Sequence, residues 1–262
     1  MNAGHWIEHF RQNQNAWTEP DWESPGPFLA DEELERRRLL ADSLATFQLG
    51  ESGGGSHIRR FVRQSGAGED YQMAVALFVR EEQRHSEILA GMVGRLGGKL
   101  KRRHWANSAF RLIRNRLGLG FNIQVLLTAE LIAEAYYGLL GRRIPDPPLQ
   151  SACAKIVRDE TKHIAFHREF FRSIQRRWLP MATALWSAQF QTLFLFAESL
   201  VWLDHGRCLR AFGIGRREFR DRARAGCRRF LFGVAFPGGG DGQFEGGSLA
   251  QNSELVAKPG NL

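Results

Sequence analysis

Cysteine is scarce and poorly spaced for framework chemistry: the 262 residues hold three, Cys153, Cys208 and Cys227, with no Cys-x-x-Cys pair. That excludes a disulfide scaffold, a structural zinc and a rubredoxin-type iron site, and a reducing, cytoplasmic setting is expected. No segment alternates apolar and polar residues over a useful length, which leaves no candidate strand. No clean membrane-length apolar run stands out either. The most apolar stretch, residues 181–203, is interrupted by Ser187, Gln189, Gln191 and Glu198, so a buried or interface helix is expected and no transmembrane segment. The first residues lack an apolar core followed by a small-residue cleavage site, and no secretory signal is expected.

What is present is ordinary for a globular chain, with 43% hydrophobic and 11% aromatic residues, enough for one sizeable core. A formal charge of +8 comes mainly from arginine, dense over residues 95–116 and 216–229. With no interleaved aromatic motif beside them, these arginines read as solvated helix faces and loops, and no nucleic acid is expected as a partner.

Helical spacing dominates, and the expected class is all-α. Residues 1–30 form an arm with Trp6, Trp17 and Trp22, followed by a Pro-rich turn. A bundle is expected over 31–178. Its first helix begins near Asp31 and carries Leu40, Leu44 and Phe47; Ile58, Phe61 and Val62 resume the spacing, so this helix reads as continuing through Gly53-Gly54-Gly55. The second runs from Glu69 to Gly97, the third covers residues 121–140 and the fourth 149–178. Additional helices follow over 179–236, and residues 237–262 form a Gly-rich flexible tail.

Two Glu-x-x-His pairs stand out, Glu82/His85 and Glu160/His163. Residues three apart share a helix face, so each pair can present two ligands in one direction. Glu51 precedes Glu82 by 31 residues and Glu130 precedes Glu160 by 30, which puts one further carboxylate on the antiparallel partner of each pair-bearing helix. One Glu from each of two helices and a Glu-x-x-His from each of the others is the ligand set of di-metal carboxylate bundles. Four buried carboxylates are costly without cations, and carboxylate with imidazole suits iron or manganese better than a thiolate-seeking metal.

At these residues the chain resembles the ferritin-like di-iron carboxylate superfamily. Glu81-Glu82-Gln83-Arg84-His85 is similar to the (Asp/Glu)-Glu-x-Arg-His motif of its oxygen-activating branch, and Asp159-Glu160-Thr161-Lys162-His163 is similar with Lys162 for arginine. The resemblance spans residues 31–178. It implies a ferritin-like four-helix bundle with additional C-terminal helices, two iron ions (or manganese, or a mixed pair) on Glu51, Glu82, His85, Glu130, Glu160 and His163, and an oxidoreductase that uses dioxygen on a small organic substrate with an external electron donor. It also implies Glu81 and Asp159, with Arg84, as groups around the ligands that orient the opposing histidines. The missing cysteine-ligated iron module separates the chain from rubrerythrins, and the second histidine separates it from cage ferritins.

Other residues leave alternatives open. His167, four after His163, is either a third imidazole ligand or a hydrogen-bonded core histidine. Glu134, four after Glu130, is an alternative ligand or a carboxylate that shifts. Tyr136 and Tyr137 read as structural. The glycines after Glu51 either make room beside the metals or permit close helix packing. Asp204-His205 could line a pocket, and His57 and His104 read as ordinary surface or packing residues. The apolar fifth segment suits a helix-mediated homodimer. A different reading of the whole is an iron-handling protein that oxidises ferrous ion without an organic substrate, and a third is a helical interaction module.

Overall fold

A computed structural model describes residues 1–16, 18–30, 33–53, 55–103, 119–176 and 178–235. The expected tail, the helix start at Asp31, Trp17 and His104 lie outside these residues. Eight α-helices and one 3-10 turn make up the described chain, with no strand among the described residues: α1 Ala3–Asn15, the turn Pro27–Leu29, α2 Leu34–Glu51, α3 Ser56–Gln64, α4 Glu69–Arg95, α5 Leu119–Leu140, α6 Pro147–Gln175, α7 Pro180–Ala211 and α8 Arg216–Ala235.

The expected arm contains a helix of its own. Asn2 caps α1 by accepting from the His5 amide at 3.2 Å, and Trp6 and Phe10, one turn apart, are both buried. α1 lies in the groove between α4 and α6, with Phe10 against Phe78 and Phe166, and the Trp6 indole donating to Glu169 at 3.0 Å. Trp22 follows in the connection and seats its ring over Gly91 of α4, where a β-carbon would come within 2.6 Å of it.

The expectation that α2 continues through the glycines is overturned. α2 ends at Glu51, Gly55 takes a left-handed φ of 58°, and a new short helix, α3, begins at Ser56. A side chain at Gly55 would collide with Val79 of α4, so the glycine permits both the reversal and the close approach. Ile58 and Val62 do face the core, but from α3.

The central bundle pairs α2 with α4 and α5 with α6, each pair antiparallel, and α4 packs antiparallel against α6. Gln48 reaches Ser86 at 3.0 Å across the first pair, while Glu81 faces His163 and His85 faces Asp159 across the α4–α6 seam. The far end of that seam is pinned by Arg95 and Asp146, both fully buried. Arg95 Nε and Nη2 donate to the two carboxylate oxygens at 3.0 and 2.8 Å, its Nη1 donates to the carbonyls of Trp22 and Ser24, and Asp146 also caps α6 at the Leu149 amide, 3.1 Å.

α5 is long and apolar enough to cross a membrane by length and composition, yet 83% of that stretch is buried among its neighbours, where it fills the core. α7 crosses α2 and α5, and α8 closes over α5 and α6. Part of the basic stretch on α8 is structural: Arg222 pairs with Glu134 at 2.6 Å and Arg224 with the buried Glu198 at 2.9 Å. The outer stripe of α7 keeps Met181, Leu185, Leu195, Phe196 and Leu203 exposed.

Candidate metal centre

Two of the bundle's helices deliver one compact cluster, with single carboxylates from two others beside it. Because three residues is just under one helical turn, α4 presents Glu82 and His85 from a single face and α6 presents Glu160 and His163 likewise. The ligand atoms of these four residues lie within 4.8 Å of one another, and the group could hold a metal ion. Glu82 Oε1 lies 4.0 Å from His85 Nδ1 and 2.8 Å from His163 Nδ1, while Glu160 lies 3.5 and 3.6 Å from the same two atoms. Each carboxylate therefore spans both imidazoles.

The rings are held from behind. His85 Nε2 meets Asp159 Oδ2 at 3.0 Å and His163 Nε2 meets Glu81 Oε2 at 2.9 Å, so each helix supplies the carboxylate for the other's histidine. In the neutral ring, a proton kept on Nε2 by these carboxylates leaves each Nδ1 with a lone pair directed at the cluster. Glu82 Oε1, Glu160 Oε2, His85 Nδ1 and His163 Nδ1 are all buried without a hydrogen-bond partner, as is Glu130 Oε2. His163 Nδ1 and Glu82 Oε1 are close yet not aligned for a hydrogen bond. Buried acceptor atoms that converge without hydrogen-bond partners fit a cation.

Glu51, half-buried at the end of α2, hydrogen-bonds to Glu82. Burial, and then the charge of Glu82, hold its carboxyl well above the usual range. Burial opposes ionisation of Glu82 too, but the charge of the His163 ring 2.8 Å away, with the hydrogen bond from Glu51 and the charge of His85, brings its carboxyl down to about 2. For His85, burial favours the neutral ring, but the hydrogen bond to Asp159 with the nearby charges of Glu160 and Glu82 raises it to about 9; His163, beside Glu82, Glu160 and Glu81, is raised well above its usual value. The cluster thus balances its carboxylates with protons where cations are not bound.

Glu130 of α5 is buried and its carboxyl raised, burial outweighing the nearby His167. His167 Nε2 lies 2.9 Å from Glu130 Oε1, so this histidine orients a candidate ligand, and its edge packs on Phe78. Glu134 turns away to Arg222 and Arg229 on α8, because four residues of helix advance it slightly past the face Glu130 occupies. Arg84 is exposed and pairs with Glu87 at 3.1 Å; one position before His85, it points off the buried face and does not reach the cluster.

Two residues around the site carried no signal in the motifs. Asn13 of α1 donates through Nδ2 to both Glu81 (2.6 Å) and Asp159 (2.9 Å), tying together the two carboxylates behind the histidines. Lys155 donates to both oxygens of Asp159 at 2.5 Å and to Asn13 Oδ1 at 3.2 Å. Its place four residues before Asp159 on one helix was a usable clue. Asn13 offered none.

A cavity of about 180 Å³ opens beside the cluster between α2, α5 and α7. Glu51, Glu82 and Glu130 form one part of its wall, and Asp204 and His205 form another. His205 Nδ1 lies 2.7 Å from Ser43 Oγ, which lies 2.5 Å from the Tyr136 hydroxyl, and the His205 ring packs on Phe47. A smaller cavity of about 50 Å³, lined by Gly50, Gly53, Gly55 and Phe78 among others, touches the other side of Glu51 and Glu82. The glycines after Glu51 therefore serve both close packing and space. No protein-family model matches this sequence, and no curated protein does.

Proposed function

We propose that this chain is a two-metal oxidoreductase of ferritin-like type that uses dioxygen to oxidise a small organic molecule. The observation that carries this reading is the set of buried, partnerless acceptor atoms on Glu82, His85, Glu130, Glu160 and His163 beside a cavity large enough for a substrate. Glu82, His85, Glu160 and His163 are the residues that would hold the ions, with Glu51 and Glu130, carboxylates close by on two other helices, as the further ligands. Iron or manganese held there would supply reversible electron transfer and open positions for dioxygen.

The rest belongs to the chain. Asp159 and Glu81 keep each Nε2 protonated and each Nδ1 free for a ligand role. Glu51, whose raised carboxyl shares a hydrogen bond with Glu82, is placed to hold or release a proton at the cavity wall. Apolar walls around the larger cavity exclude water from the reacting region. That cavity favours an organic substrate over ferrous ion alone, for which no apolar chamber is needed.

The test is metal analysis after anaerobic loading with ferrous iron, followed by oxygen uptake on admitting air. Close to two ions per chain and rapid uptake, both lost in Glu82→Ala and Glu160→Ala, are expected. Less than one ion per chain would defeat the proposal. A large cage holding hundreds of ions would replace it with the iron-handling reading.

A further inference from the structure

The larger cavity also constrains what it accepts. Resting on the two-metal reading, we infer that its ligand is a mostly hydrocarbon molecule without negative charge, of about six to ten non-hydrogen atoms, since an apolar cavity of roughly 150 Å³ accommodates benzene. The cavity here is of similar size, about 180 Å³. Its walls are dominated by Phe47, Val125, Leu126, Ile132, Leu200 and Val201, which offer dispersion contacts and no charge.

Polar groups touch the cavity chiefly in two regions. One is the carboxylate edge of the cluster, Glu51, Glu82 and Glu130; the other is Asp204 with His205. Along α2, His205 is seated at Ser43 and Phe47, eight and four residues before Glu51, which puts it one to two turns or roughly 6–12 Å from that carboxylate. The separation exceeds the reach of a compact polar molecule. It suits one whose single hydrogen-bonding group, such as a hydroxyl, sits at Asp204 and His205 while its hydrocarbon end faces Glu51 and Glu82. An anion would meet carboxylates at both ends. The His205 ring is fixed through the buried Ser43–Tyr136 hydrogen bonds, so this end of the cavity is preformed. Gly50 and Ala129, exposed at the rim, leave an entrance between α2 and α5. The geometry thus assigns orientation as well as class: oxidation falls on the end of the molecule remote from its polar group.

Calorimetric titration of the metal-loaded protein with 1-hexanol, phenol and indole tests this, with benzoate and arginine as charged controls. Saturable binding of at least one neutral probe at one per chain is expected, with neither control binding. Ala129→Trp and Val201→Trp each fill the cavity from its rim and should weaken that binding at least tenfold while the ion content per chain stays unchanged. Failure of all three neutral probes, tighter binding of benzoate, or indifference to both tryptophans would overturn the inference. Ion content, measured on the same samples, separates the two ideas. Neutral probes that bind in a chain holding no metal would sink the two-metal reading and leave the ligand class standing.

Discussion

Each imidazole at the cluster is held from behind by a carboxylate, and Asn13 joins those carboxylates through one amide nitrogen. Groups placed this way typically carry 10–100-fold in metal affinity, so Asn13→Ala should weaken ion binding by about that factor with helix content unchanged. Competition with a chromophoric chelator measures it. Asn13→Asp should be worse, since it sets a third carboxylate against Glu81 and Asp159. The titration of His85 gives a second expectation at this scale. Its folded-state value of about 9 lies above the ordinary 6.5, so its protonation stabilises the metal-free fold fully below pH 6.5, and that stabilisation is lost as pH rises through 9. Thermal midpoints of metal-free protein should therefore fall between pH 6.5 and 9. Metal-loaded protein, in which the ring is already deprotonated, should not share that fall.

Among the helices, a buried joint outside the cluster is Arg95 with Asp146, which binds α4, the cap of α6 and the connection holding Trp22. Removing one partner of a buried pair commonly costs 3–5 kcal/mol, so Arg95→Ala should destabilise by about that much in urea, and Arg95→Lys should restore little because lysine cannot reproduce the fork. At the α2–α3 break, Gly55→Ala should cost about 2 kcal/mol through its left-handed backbone, more where Val79 resists, and adding Val79→Ala should recover part of it. Helical periodicity is why so much here was readable: Glu82/His85 and Glu160/His163 share faces, and offsets of 31 and 30 residues suffice for a helix to go out and return. The break after Glu51 was hidden because Ile58 and Val62 resume an apolar spacing whichever helix carries them. Direction was also hidden. Nothing in the spacing separates Glu130, which meets His167, from Glu134, which meets Arg222, since only the position of α8 decides it.

For the molecule as a whole, a core that carries four clustered carboxylates is one whose stability depends on what neutralises them. Protons on His85, His163 and Glu51 serve in the metal-free protein, and ions would displace them. Metal binding should therefore release protons, detectable with an indicator dye in weak buffer. Free metal at a hundred times its dissociation constant should add about 2.7 kcal/mol to unfolding, read as a rise in thermal midpoint that a chelator reverses. The all-α class and the order of the bundle helices were visible in the chain because each is a local pattern. The docking of α1 was not, because an asparagine's worth depends entirely on partners 68 and 146 residues away.

That long reach bears on how the protein is handled and made. A shortened version beginning after residue 16 would keep every candidate ligand and the four bundle helices, and would look like a sensible trimming of an aromatic leader. It would also remove Phe10 from against His163 and the amide that joins Glu81 to Asp159. Such a chain should express as a helical protein that loses its ions during purification. During synthesis the same helix emerges well before α6, and its docking stays incomplete until that helix has been made.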